Sequence, residues 1–87
     1  MKTYRKSANE TRTYVVDWRD KMAPGEKFTS STFTTSLTEV SKDTGARMTE
    51  VTLSGGTLGQ TYEVTNLIVT SEGQTLERSF DVLIVDR

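Results

Sequence analysis

The chain has no cysteine and no histidine, and a single proline among its 87 residues. Without cysteine there is no disulfide framework and no thiolate metal site, and the sequence carries no trace of a redox compartment. Without histidine, the commonest general base and the commonest metal ligand are missing together. Apolar residues are scarce as well, at 33%. A chain of this length buries only about 60–65% of its unfolded surface. A small core with no covalent or metal staple often gains stability from an oligomer or a docking surface. Long hydrophobic runs are also lacking. The longest, Val82-Leu83-Ile84-Val85, is far too short to cross a membrane, and no hydrophobic stretch follows the charged N-terminus as a secretory signal requires. No membrane partner is therefore expected.

What is present is charge, unevenly spread. The net charge of −1 argues against a nucleic-acid partner. Residues 1–12 hold Lys2, Arg5, Lys6 and Arg12 against Glu10, a net of +3, while the rest of the chain holds seven basic and eleven acidic residues, a net of −4. Residues 1–10 show no hydrophobic period and read as an extended arm, leaving residues 11–87 as one domain. The arm has two readings: a solvated tail, or a basic segment that reaches an acidic neighbour such as the next copy of the protein.

The domain is organised around residues 53–85, where two long β patterns flank the loop Ser71-Glu72-Gly73-Gln74. Tyr62, Val64 and Ile68 share one parity of the first pattern, and Phe80, Val82 and Ile84 share one parity of the second, so each set faces one way. The glycine of the loop suits a left-handed position in an antiparallel hairpin. The opposite face carries Glu63, Thr65, Glu77 and Asp81, but also Leu67, Val69, Leu83 and Val85. Four large aliphatics on an outer face mean either a sheet covered on both sides or a partner there. The alternative is that β-branched residues simply suit strands. Before the hairpin, Ser54-Gly55-Gly56-Thr57, Leu58 and Tyr62 match the corner by which immunoglobulin-like sandwiches enter a strand, with a tyrosine hydroxyl bonded back across the turn. The glycines match neither phosphate-binding fingerprint, since no lysine follows and no helix pattern opens.

The rest of the chain supplies shorter strands. Residues 11–18 place Tyr14, Val16 and Trp18 on one face, and residues 19–23 suggest one helical turn, halted by Pro24-Gly25, that stacks Met22 on Trp18 and plugs an end of the fold. Over residues 27–35, Phe28 and Phe33 have opposite parity, which a bulge would reconcile. Residues 37–41 form a short strand burying Leu37 and Val40, residues 42–45 a turn, and residues 47–53 a strand with Thr49, Val51 and Leu53 inward. Six or seven strands with turn signals every 8–12 residues indicate an all-β, immunoglobulin-like antiparallel sandwich.

No catalytic set emerges. Ser and Thr are abundant but no base accompanies them. Asp17, Asp20 and Glu26 could approach a calcium ion at an end loop, yet offer too few oxygens. Trp18 has core parity, and Tyr4 and Phe28 are the aromatics left for stacking on a sugar. No cofactor is expected.

Several stretches resemble one family: Asp17-Trp18, Ser31-Thr32-Phe33, Leu53-Ser54-Gly55-Gly56-Thr57, Gly59-Gln60-Thr61-Tyr62, Val64-Thr65-Asn66 and Arg78-Ser79-Phe80. Together they are similar to the small immunoglobulin-like virion proteins of tailed bacteriophages, described as fibre–tail adaptors or neck proteins. The resemblance covers about residues 11–87 and is densest from Leu53 to Phe80. Phe33 stands where the family often has Trp, and Leu67 and Leu83 where polar residues are expected. The resemblance implies no enzyme. It implies a virion component, assembled in the host cytoplasm and present in several copies, that bridges other virion proteins: portal, head–tail connector, tail fibre or capsid. A capsid decoration protein is the rival within that class, and a carbohydrate or host-surface module the rival outside it. The expected docking residues are Lys2, Arg5 and Lys6 of the arm, with Leu67, Val69, Leu83 and Val85 of the outer face.

Overall fold

The computed structural model describes residues 2–86, so Met1 and Arg87, the outer ends of the expected arm and sandwich, lie outside the described residues. Seven strands form: β1 (Lys2–Ser7), β2 (Arg12–Asp17), β3 (Phe28–Thr34), β4 (Thr38–Thr44), β5 (Met48–Ser54), β6 (Thr61–Thr70) and β7 (Thr75–Val85). They make a four-stranded sheet, in the order β1-β7-β6-β3, and a three-stranded sheet, in the order β2-β5-β4. The two pack as a sandwich, as expected. Every pairing is antiparallel except β1 with β7.

The alternation read from the sequence fills the space between the sheets. Tyr14, Val16, Val51 and Leu53 come from the smaller sheet, and Val64, Ile68, Phe80, Val82 and Ile84 from the larger; all are buried. Burying one such side chain is worth about 1.5–3 kcal/mol, so the β6–β7 hairpin supplies much of what holds the fold. Its loop closes through Gly73, at φ 78°, whose N–H donates to the Thr70 carbonyl at 3.0 Å. The phenylalanine parity is reconciled by a register shift between Phe28 and Ser30: Phe33 is buried, and Phe28 packs against the core from its margin.

Trp18 and Met22 close one end. The Met22 N–H donates to the Trp18 carbonyl at 3.0 Å, a single turn ended before Pro24, and both side chains are buried. Arg78 lies over the Trp18 ring, 5.0 Å from its centroid, and donates to the Asp17 carbonyl and to Asp20 Oδ2, the latter at 2.6 Å. At the glycine corner, the Thr57 N–H donates to the Tyr62 hydroxyl at 2.9 Å, the bond anticipated there. Gly56, at φ 106°, is pressed against Ile84 so closely that a Cβ would stand 2.6 Å from Ile84 Cδ1.

Three expectations are corrected. Residues 2–7 are extended but not detached: they pair in parallel with β7 from Lys2 opposite Phe80 to Ser7 opposite Val85. The Tyr4 ring joins Tyr14 and Phe80 at centroid distances of 5.0 and 5.4 Å, and that burial pins the strand. Val40 is 57% exposed rather than buried, because the β4 register shifts between Glu39 and Ser41 and turns it out. Residues 42–44 continue β4 instead of turning. The turn is made by Gly45 and Arg47, with Arg47 at φ 81° and the Gly45 N–H donating to the Met48 carbonyl at 2.7 Å.

Candidate docking surfaces

The registers allow the outer face of the four-stranded sheet to be laid out row by row. At one end Arg5 stands beside Leu83, which faces Thr61, and Ser7 stands beside Val85. The next row inward is Thr3, Asp81 and Glu63, and then Ser79 faces Thr65, their hydroxyls 2.9 Å apart. Beyond these polar rows, Leu67 sits between Glu77 and Thr32, and Val69 between Thr75 and Ser30. Leu67 is 40% exposed, and Val69, Leu83 and Val85 are half-buried.

The four aliphatics are therefore on the outer face, as their parity requires, but they are not one patch. Six positions of β6 separate the Leu83 row from the Leu67 row, about 20 Å at about 3.4 Å per residue. Cross-strand and diagonal neighbours interact only to about 7–8 Å, so Leu83–Val85 and Leu67–Val69 are two small pairs with a hydrophilic band between them.

The three basic residues also part company. Side chains alternate along β1, so Arg5 points out beside Leu83, while Lys2 and Lys6 belong to the other side. Lys2 is exposed at the sheet edge, its ammonium 5.2 Å from the Tyr4 ring centroid. Lys6 is fully buried. Its Nζ donates to the Ser7 carbonyl at 2.9 Å and to the Gly55 carbonyl at 2.6 Å. Burial pulls its pKa down, against the nearby Glu10 carboxylate, which pulls it up. A lysine enclosed in this way clamps the first strand to the glycine corner.

The acidic residues considered for a metal are equally dispersed. Asp17 makes a two-pronged ion pair with Arg19, closest at 2.7 Å, and these hydrogen bonds hold its carboxyl at about 2. Asp20 is bound by Arg78, whose hydrogen bond lowers its pKa. Glu26 Oε1 accepts the Ala23 N–H at 2.9 Å within its own loop. No group of three potential metal-binding side chains gathers among the described residues.

Sequence reasoning missed a buried polar hub. Asn66 Oδ1 accepts from Trp18 Nε1 at 3.1 Å and from Thr49 Oγ1 at 2.6 Å, and its Nδ2 donates to Ser31 Oγ at 3.0 Å and to the Thr32 carbonyl at 3.1 Å. The available signal was parity: Asn66 lies between Val64 and Ile68 on the inward face, where an amide must find partners.

A family model described as "Gp77: Podophage GP4 fiber-tail adaptor protein gp77" matches residues 6–83. No curated protein matches the chain.

Proposed function

The chain belongs to the podophage fiber-tail adaptor family, and from that premise we propose that it couples tail fibres to the tail at the neck of the particle, close to the portal and the head–tail connector. The family supports a structural, non-catalytic part of the virion that binds tail and fibre proteins. The observation that carries the reading is the match, which spans the clamp at Lys6, the end plug at Trp18, all of β6 and β7 as far as Leu83. An immunoglobulin-type sandwich is part of the proposal, supported by the β7-β6-β3 and β2-β5-β4 orders and by the Tyr62 corner.

The docking surface proposed for a virion partner is the Arg5, Leu83 and Val85 end of the outer face, where a cation adjoins two half-buried aliphatics. Leu67 with Val69 forms a second, smaller contact. A sugar-binding role loses its aromatics, since Tyr4 and Phe28 are packed onto the core. The test is light scattering of the purified chain mixed with fibre, tail, portal or capsid proteins. Complexes of fixed ratio with fibre and tail proteins support the adaptor. Binding to portal places it at the neck, and binding to assembled shells alone favours capsid decoration. Leu83→Lys leaves the domain folded and weakens the fixed-ratio complex about tenfold or more if this end docks; a folded variant that still assembles normally removes the surface.

A further inference from the structure

The outer face of the three-stranded sheet carries a depression of about 360 Å³ that the adaptor reading leaves unused. Across it, Val15 of β2 faces Glu50 of β5, and Glu50 faces Asp43 of β4. Met48 lies two residues from Glu50 along β5, on the same face. Val15 is 48% and Met48 38% exposed, so two of the five exposed large hydrophobic side chains among the described residues adjoin here. Directly opposed carboxylates on neighbouring strands repel, and neither Asp43 nor Glu50 makes an ion pair among the described residues. An apolar floor beside two carboxylates that no ion pair neutralises, Asp43 Oδ1 accepting the Thr44 N–H at 2.8 Å, suits a long side chain with an apolar stem and a cationic head.

The chain itself carries that chemistry at another place. The outer edge of β1 presents the exposed Lys2, within the first twelve residues that hold a net +3 against −4 for the remainder. A two-fold contact of the depression with itself would set four carboxylates against one another, whereas the β1 edge of another copy brings the opposite charge to them. We infer that the depression lined by Val15, Met48, Asp43 and Glu50 receives the β1 edge of a second copy of this chain, with Lys2 set between the two carboxylates. The inference rests on the adaptor reading only for the presence of several copies in one particle.

The experiment is sedimentation of the full chain over a wide concentration range, at about 0.05 M and about 0.5 M salt. Mass grows with concentration, and the association weakens about tenfold or more at the higher salt. Glu50→Lys and Lys2→Glu each weaken it about tenfold or more, and an equimolar mixture of the two variants restores it, since each then meets its opposite charge. Both positions are on the surface, and an unchanged urea midpoint verifies that the variants fold. A chain that stays monomeric at every concentration, or a mixture that does not restore association, overturns the inference. So does a depression that binds a foreign basic protein while the chain does not self-associate. Complexes with fibre and tail proteins formed by a strictly monomeric chain overturn the inference and keep the adaptor; self-association without any such complex does the reverse.

Discussion

Replacing Asn66 tests whether a polar hub, rather than apolar burial alone, fixes how the two sheets meet. Asn66 and Thr49 are fully buried, Trp18 is 1% exposed, and the three belong to β6, to β5 and to the turn that follows β2. One side chain thus ties an inner strand of each sheet to the end plug. In Asn66→Ala, the Trp18 N–H keeps its longer bond to Thr49 Oγ1 at 3.2 Å. The Thr49 hydroxyl loses its acceptor, and the Thr32 carbonyl loses the amide that donates to it. A buried group left unpaired costs about 1–3 kcal/mol, and the vacated amide volume adds about 1 kcal/mol. The expected loss is about 2–4 kcal/mol, against a total stability of about 4–13 kcal/mol for a chain of this length at about 0.05–0.15 kcal/mol per residue.

Urea unfolding followed by the fluorescence of Trp18, the single tryptophan, measures this directly. Asn66→Asp sharpens the test. It keeps the acceptor for Trp18 and Thr49 but buries a carboxylate where an amide donated to Thr32. Burial raises the pKa of such a group, so its penalty is present above the raised folded value and relieved as pH falls, when the protonated acid donates again. The variant gains on the wild type with acidification, opposite to the wild-type trend expected below. A double-mutant cycle with Thr49→Val should give a coupling of about 1–2 kcal/mol. If Asn66→Ala loses less than about 1 kcal/mol, or the cycle is additive, the hub is not what joins the sheets.

Three further expectations follow from packing and charge. Gly56→Ala forces a methyl to 2.6 Å from Ile84 Cδ1 at a φ of 106°, and should cost about 2–4 kcal/mol by urea unfolding, whereas Gly73→Ala, with open space at its Cβ, should cost about 1 kcal/mol. Tyr62→Phe removes the acceptor of the Thr57 N–H and should lower stability by about 1 kcal/mol, with protection from hydrogen exchange lost first at Thr57. Asp17, held at about 2, and Asp20, also lowered, have folded values below the unfolded value of about 3.9, so they stabilise above about pH 4 and that contribution disappears as pH falls toward 2. Asp20→Asn should reduce the acid sensitivity of the Trp18 signal, because it removes the titrating carboxylate that Arg78 holds beside the plug.

The core was legible because parity is a local property. Tyr14, Val16, Val51, Leu53, Val64, Ile68, Phe80, Val82 and Ile84 are inward in the sequence pattern and inward in the fold. The misreadings arise where position depends on a partner strand. Three of the six residues of β1 are Lys or Arg, which leaves no apolar run to announce a strand. It is recruited by Tyr4 and by parallel pairing with residues almost eighty positions away. Lys6 looked like a surface cation because nothing in its neighbourhood of the chain reveals the Gly55 carbonyl it meets. Val40 had buried parity until a one-residue bulge reversed it. Parity correctly placed the four outer aliphatics of the larger sheet on one face, but only the cross-strand register shows that the polar Ser79–Thr65 and Asp81–Glu63 rows divide them.

That division bears on how an adaptor can evolve. The contacts that hold the sheets together lie on inward positions, at the Trp18 end and at the glycine corner, and none uses an outward side chain of β6 or β7. Register shifts of one residue would exchange the two sets of side chains, and would turn Asn66 away from Trp18, Thr49, Ser31 and Thr32, the partners it bonds in the β3–β6 and β2–β5 halves together. A hub of this kind costs desolvation that an apolar side chain would not, and what it contributes in exchange is uniqueness of packing in a chain whose apolar fraction is only 33%. With register secured from the inside, outward positions such as Leu67, Leu83, Val15 and Glu50 are free to follow the chemistry of whichever surface they meet.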